Sequence, residues 1–262
     1  MTGGPPTVLL TGAAGRVGTY LRAGLPRLGW RLRCLDRFLP PEDDGLEWVA
    51  GDITDPRDLA VATEGVSAVV HLAGIAHETD FPALLHANID GTYQVFEAAR
   101  RAGVRRVLYA SSNHAVGRHE APALLDGAAR ARPDTLYGVS KAFGEALGSY
   151  YADKYGMSVA ALRIGSCFER PSELRHLATW LSPGDAVRLT DAVLRAPRLR
   201  FATLNGISAN SRAWWELDSA RAFGYEPQDD AERYAAELLA ARGGPLGPGD
   251  PDAAYVGGRM AV

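Results

Sequence analysis

The sequence is short of lysine. Of its 28 basic residues only Lys141 and Lys154 are lysines, so the other 26 are arginines and a retained lysine marks a position where arginine does not serve. Cysteine is equally rare. Cys34 and Cys167 alone cannot build a disulfide framework or a structural zinc site, which points to a reducing, cytoplasmic setting. The six histidines (His71, His77, His86, His114, His119 and His176) have no metal-ligand spacing, so no metal is expected. No apolar run approaches the roughly 20 residues of a membrane span. The opening Met1-Thr2-Gly3-Gly4-Pro5-Pro6 lacks the basic and apolar regions of a secretory signal, and no membrane partner is expected. A net charge of -3 gives no basic field to attract nucleic acid.

What is present is an ordinary globular composition, 47% hydrophobic and 23% charged over 262 residues, enough for one sizeable core. Short apolar runs alternate with helical patterns. Strands are expected at Thr7–Leu10, Arg31–Asp36, Leu46–Ala50, Ser67–Leu72, Arg106–Ala110 and Val159–Ile164. Helices are expected at Gly15–Leu28, Pro82–Arg101 and Tyr137–Tyr155, the last stopped by Gly156. This alternation predicts an α/β fold, a Rossmann-like doubly wound parallel sheet, with ligands at the carboxyl ends of its strands. Residues 1–165 form the dinucleotide-binding core in this reading. Residues 166–262 form a small, mainly helical C-terminal cap that completes the same domain. Its helices are placed near Asp185–Arg195, Ser211–Phe223 and Asp230–Arg242, around one strand at Leu199–Leu204.

Between the first strand and first helix runs Thr11-Gly12-Ala13-Ala14-Gly15-Arg16-Val17-Gly18. Glycines at 12, 15 and 18 permit a tight turn and close approach of backbone to a pyrophosphate at a helix N-terminus. A glycine triplet alone also serves as a packing turn, but the strand–turn–helix context favours a dinucleotide. Asp36 ends the second strand at the distance expected of an acid that binds ribose hydroxyls. Its carboxylate favours NAD by repelling a 2′-phosphate, whereas Arg16 and Arg37 leave NADP open. Asp52, beside Ile53, either meets the adenine end or caps the helix before Pro56. Leu72, Ala73 and Gly74 should pass the cofactor ribose.

Ser111-Ser112-Asn113-His114 follows the fifth strand, and Tyr137-Gly138-Val139-Ser140-Lys141 opens a helix. Tyr137 and Lys141 are four apart and share a helix face. An ammonium close to a phenol favours the phenolate, and a serine hydroxyl can hold the substrate oxygen. This is a general acid–base set for hydride transfer at a carbon that bears a hydroxyl.

Taken together, these residues resemble the extended short-chain dehydrogenase/reductase superfamily, to which Asn88-Ile89-Asp90-Gly91-Thr92 adds a matching mid-chain helix. A narrower resemblance spans nearly the whole chain. Ala110-Ser111-Ser112-Asn113-His114, Leu136-Tyr137-Gly138-Val139-Ser140-Lys141, Arg163-Ile164-Gly165-Ser166-Cys167, Thr179-Trp180, Ser208-Ala209-Asn210 and Trp214-Trp215 look like uronate dehydrogenases. These enzymes oxidise glucuronate or galacturonate at C1 with NAD and release an aldarolactone. The resemblance implies catalytic roles for Tyr137, Lys141 and Ser112, and cofactor contacts from Asn88 and Ser111. It implies sugar contacts from Ser112, Asn113, His114, Tyr137 and Ser166, and makes Arg175 the partner of the substrate carboxylate.

Two positions depart from the family pattern. Ala76 stands where a serine is common, and Met260 where the tail tends to carry an aromatic. Both bear on which sugar is bound. The alternatives are a dehydrogenase or epimerase of a neutral or nucleotide-linked sugar, and a non-catalytic dinucleotide sensor. The expected partner is a small sugar acid, and the long helices after the fourth and fifth strands offer surfaces for a homo-oligomer.

Overall fold

A computed structural model of the chain describes residues 5–40, 43–121, 124–247 and 249–261. Seven strands form one parallel sheet in the order β3-β2-β1-β4-β5-β6-β9. They are β1 (Thr7–Thr11), β2 (Arg31–Asp36), β3 (Glu47–Ala50), β4 (Ala68–His71), β5 (Arg106–Ser112), β6 (Ser158–Ile164) and β9 (Phe201–Gly206). β7 (Ser166–Cys167) and β8 (Trp180–Leu181) pair separately. The central strands are continuously apolar because both faces are covered, as in Val8-Leu9-Leu10 and Val69-Val70, all essentially inaccessible.

Helices α1 (Arg16–Gly24) and α7 (Pro183–Arg195) cover one face. α2 (Pro56–Thr63), α4 (Gly91–Arg101) and α5 (Leu136–Tyr155) cover the other. The doubly wound sheet expected from the sequence is the one observed. It does not stop at residue 165, however. β9 pairs with β6 along Val159↔Phe201 to Ile164↔Gly206, and α7 packs on α1, so the later part of the chain also completes the core. The short helices α3 (Phe81–Leu84), α6 (His176–Thr179), α8 (Asp218–Arg221), α9 (Ala235–Arg242) and α10 (Pro251–Ala254) fill out the periphery. Among the described residues no helix is long and apolar enough to cross a membrane.

Two expected helices differ in ways that matter. The run from Pro82 to Arg101 is interrupted by a wider π-helical turn at Leu85–Asp90. That turn directs the Asn88 side chain inward to Ile75 and Ser140, which a regular helix would not. Ser211–Phe223 is helical only at Asp218–Arg221. Leu125 N–H donates to the Trp214 carbonyl at 2.9 Å and Glu216 N–H to the Leu125 carbonyl at 3.0 Å, so the segment is extended while Trp215 is buried.

Candidate active site

The chain runs outward from β1 through β2 to β3 and then crosses back to β4, beside β1. The switch leaves a crevice at the carboxyl ends of the strands. A cavity of about 730 Å³ opens there, reaching from Asp36 and Asp52 at one end to Ser112, Tyr137 and Arg175 at the other.

The glycine turn forms the floor at the first end. Gly12 has φ +70°, and a Cβ on it would lie 2.6 Å from the Ala73 nitrogen. A Cβ on Gly18 would lie 2.5 Å from the Gly12 carbonyl. The turn therefore tolerates no side chain at these two positions and brings the bare N-terminus of α1 to the cavity. Asp36 accepts from the Ala14 N–H at 3.0 Å and the Phe38 N–H at 3.2 Å, which fixes its carboxylate on the cavity rim. Ala14 serves through that bond and does not line the cavity. Asp52 is not the cap of α2. Asp55 caps it, accepting from Arg57 N–H at 2.8 Å, while Asp52 binds Thr54 and faces the cavity with Ile53. Arg37, 3.9 Å from Asp52, also lines this end.

Gly15, Arg16, Val17, Leu72, Ala73 and Gly74 line the middle. Asn88, expected at the cofactor, does not. Its amide is used up inside the protein, accepting from Ile75 N–H at 2.7 Å and donating to the Ile75 carbonyl and Ser140 Oγ. It shapes the loop after β4 instead.

At the other end α5 lies close to the sheet, because Gly144 leaves room for the Tyr109 ring. Thr135 caps the helix by accepting from Gly138 N–H at 2.9 Å. Glu78, from the loop after β4, takes the free N–H groups of Leu136 and Tyr137 at 3.1 and 2.8 Å. Tyr137 and Lys141 are both buried on this helix. Burial pushes the Tyr137 phenol up to about 12, with a hydrogen bond to Ser112 acting in the opposite sense. Burial also pushes the Lys141 ammonium down to about 8. The sequence suggested that Lys141 would lower the Tyr137 pKa. Among the protein's own groups desolvation wins, because Lys141 Nζ lies 5.6 Å from the Tyr137 ring centre and 5.1 Å from that of Tyr109.

Ser111 and Ser112 diverge. Ser111 lines the cavity, but its hydroxyl donates to Glu145 Oε1 at 2.6 Å. Glu145 is held in turn by a bidentate pair with Arg163, both bonds at 2.9 Å. The Ser111 proton is thereby committed, and toward a cofactor its oxygen can only accept. Asn113 is buried beside the cavity, and its Nδ2 has no partner among the described residues. His114 donates from Nδ1 to Asp134 at 2.9 Å, with its ring set edge-on to Tyr137. Ser166 and Thr179 share a hydrogen bond of 2.9 Å. Arg175 is half-buried, which lowers its pKa. It donates one bond to the Val256 carbonyl at 3.0 Å and makes no ion pair among the described residues. Cys167 lines the same wall, but burial pushes its thiol up to about 12, so it is no nucleophile.

Sequence reasoning missed Asp134, Glu145 and Glu78, and gave Arg163 no role beyond its place in the Arg163-Ile164-Gly165-Ser166-Cys167 motif. Each meets its partner only in three dimensions. His86, Phe168 and His176 also line the cavity unannounced. For Phe168 the one available signal was its place directly after Cys167.

The signature of the NAD dependent epimerase/dehydratase family matches residues 8–198. The chain belongs to this family. Within the family, it is 38% identical over 257 residues to the uronate dehydrogenase of Pseudomonas putida, covering 97% of this chain and 95% of the relative. It is 41% identical over 255 residues to the NAD-dependent glucose-6-phosphate dehydrogenase of Haloferax volcanii, covering 88% of this chain and 96% of that one. The solved structure of a tyrosine-to-alanine variant of uronate dehydrogenase from Agrobacterium tumefaciens, complexed with NAD, superimposes with a TM-score of 0.92 at 38% identity. The match covers 98% of this chain and 97% of that one. The resemblance to uronate dehydrogenases read from short motifs thus extends over nearly the whole chain and its fold.

Proposed function

We propose that the protein oxidises a hexuronic acid, glucuronate or galacturonate, at C1 to the aldarolactone with NAD. The observation that carries this reading is Arg175: a half-buried cation on the cavity wall at the Tyr137 end, with no carboxylate of the described residues within ion-pair distance. A substrate carboxylate would complete it in the fork geometry that guanidinium favours.

The residues present fit the cofactor. Gly12, Gly15 and Gly18 leave room for a pyrophosphate, and Asp36 presents a carboxylate suited to ribose hydroxyls. Leu72, Ala73, Gly74 and the Ser111 backbone would flank the nicotinamide half. Bound NAD would supply the hydride acceptor. Ser112 holds the C1 hydroxyl oxygen, and Tyr137 takes the hydroxyl proton as the C1–H bond breaks. Lys141 keeps a positive charge near the phenolate that reaction requires and would hold the nicotinamide ribose. Asn113 lines the sugar end of the cavity, and its buried Nδ2 has no partner among the described residues. Ser166 and His114 complete the sugar contacts.

Two buried free thiols and a nicotinamide cofactor fit the reducing cytoplasm. α4 and α5 lie side by side and expose Tyr93, Tyr150 and Tyr155, a surface suited to pairing two copies.

The second reading is a phosphorylated aldose. It is favoured by the Haloferax relative and by Ala76, which leaves the rim of the sugar site without a hydroxyl. Absorbance of NADH with glucuronate, galacturonate, glucose and glucose 6-phosphate separates the readings. Turnover of both uronates and not of the others is expected, and turnover of glucose 6-phosphate alone would overturn the proposal. Arg175→Leu removes charge-assisted hydrogen bonds worth about 2–4 kcal/mol, so KM for uronates should rise roughly 30- to 1000-fold. An equal rise for a neutral sugar would remove its carboxylate role.

A further inference from the structure

The turn at residues 256–258 lies far along the chain from every catalytic motif, yet it touches two side chains of the site. The Val256 carbonyl accepts from Arg175 Nη1 at 3.0 Å. Gly258 has φ +66°, and a Cβ on it would lie 2.8 Å from both Cδ and Nε of Arg175. The turn thus grips the Arg175 stem and one arm of its fork. Asp252 lies near by, but it is taken by Arg259, whose N–H and Nε donate to it at 3.1 and 2.8 Å. Arg175 is therefore oriented by the turn, with Asp252, Glu173 and Asp134 acting on its charge only from beyond ion-pair distance.

The second contact runs through Asp134. The Asp134 side chain is wholly inaccessible and accepts the Nδ1 proton of His114. A carboxylate can only accept, so this bond leaves Nε2 of the neutral ring as an acceptor. Asp134 fits because the facing residues are Gly117 and Gly257. A Cβ on either would overlap its Oδ2. Gly257 is pinned there by its N–H, which donates to the Gly117 carbonyl at 2.9 Å, and Val256 N–H donates to the His119 carbonyl at 3.0 Å.

We propose that the turn at residues 256–258 is a positioning element of the site. Through Gly258 and the Val256 carbonyl it aims Arg175, and through Gly257 and Asp134 it fixes the His114 tautomer. The Arg175 limb rests on the uronate reading given above, whereas the His114 limb does not.

The two glycines are separable by experiment. Gly258→Ala should raise KM for glucuronate at least tenfold, with kcat within threefold and NADH affinity within twofold of the parent. Gly257→Ala and the similarly sized but acceptor-free Asp134→Leu should each abolish the Nδ1–H form of His114, read by nitrogen-15 NMR of the free protein, and lower kcat at least tenfold. Val61→Ala, at an exposed position of α2 outside the cavity wall, should leave all of these within twofold. A tail that merely packs would lower stability and leave the tautomer unchanged. The proposal is overturned if His114 keeps Nδ1–H in both variants, or if Gly258→Ala weakens NADH as much as glucuronate. Should Gly257→Ala fail to fold, Asp134→Leu decides the His114 limb. If no uronate is turned over, the substrate reading fails, and the NMR result still decides whether Asp134 sets the ring.

Discussion

Arg163→Met breaks a buried pair whose two ends differ sharply in what they can do alone. Arg163 and Glu145 side chains are 4% and 9% exposed and are joined by two bonds of 2.9 Å. Without Arg163, Glu145 retains only the Ser111 hydroxyl in a site with almost no solvent. An uncompensated buried charge of this kind costs about 3–5 kcal/mol. Glu145→Met strands the guanidinium, whose Nη1 already has no partner, and should cost a similar amount. The double variant removes both charges. It loses the Ser111 bond, worth about 1 kcal/mol, and relieves the stranded Nη1, so it should lie within about 2 kcal/mol of the parent. The assay is equilibrium unfolding in urea, comparing midpoints at constant slope across the four proteins. Single variants that cost under about 1 kcal/mol, or a double variant as destabilised as the sum of the singles, would refute the reasoning.

Gly18→Ala puts a methyl against the Gly12 and Ala13 carbonyls and should weaken NADH at least tenfold by fluorescence titration; unchanged affinity would show that the turn is not the pyrophosphate seat. Uronate oxidation should rise close to tenfold per pH unit from 6 toward 8, because the Tyr137 phenol sits at about 12, and should flatten as Lys141 loses its charge near 8. A flat kcat/KM profile below pH 8 would show that the Tyr137 phenol is not held up by burial in the working enzyme. His71 is buried and pushed down to about 3, against about 6.5 in the unfolded chain, so unfolded chains bind its proton first as pH falls. Its contribution is complete above 6.5 and is lost toward 3, at up to about 1.4 kcal/mol per pH unit. His71→Gln should flatten the decline in urea stability between pH 6.5 and 4, and an unaltered slope would contradict it.

The strands and the long helix of the site were readable because their signals are local. Arg31–Asp36 is a strand over the expected span, and the helix from Tyr137 ends at Gly156, which has the left-handed conformation its lack of a Cβ permits. The Leu85–Asp90 turn was not readable, since its apolar spacing still fits a helix and the reason for widening lies 13 residues back, at Ile75. The segment Ser211–Phe223 misled for a related reason. Helical periodicity was overridden by pairing with Leu125, a partner far away in sequence.

The same division runs through the site. Gly12, Gly18, Asp36, Tyr137 and Lys141 line one cavity, and the sequence could single them out because they lie at set spacings along one turn, one strand end or one helix. The rarity of lysine sharpened this: of two lysines, Lys141 is buried beside Tyr137, while Lys154 is exposed and binds Tyr150. Only the folded chain decided that Asn88 and Ala14 serve the scaffold, that Ser111 turns to Glu145, and that Asp134 and residues 256–258 stand behind His114 and Arg175. It also decided that burial raises the pKa of the Tyr137 phenol, which spacing along one helix does not show. Spacing is set by the covalent chain, whereas burial and partnership depend on which distant segments pack together.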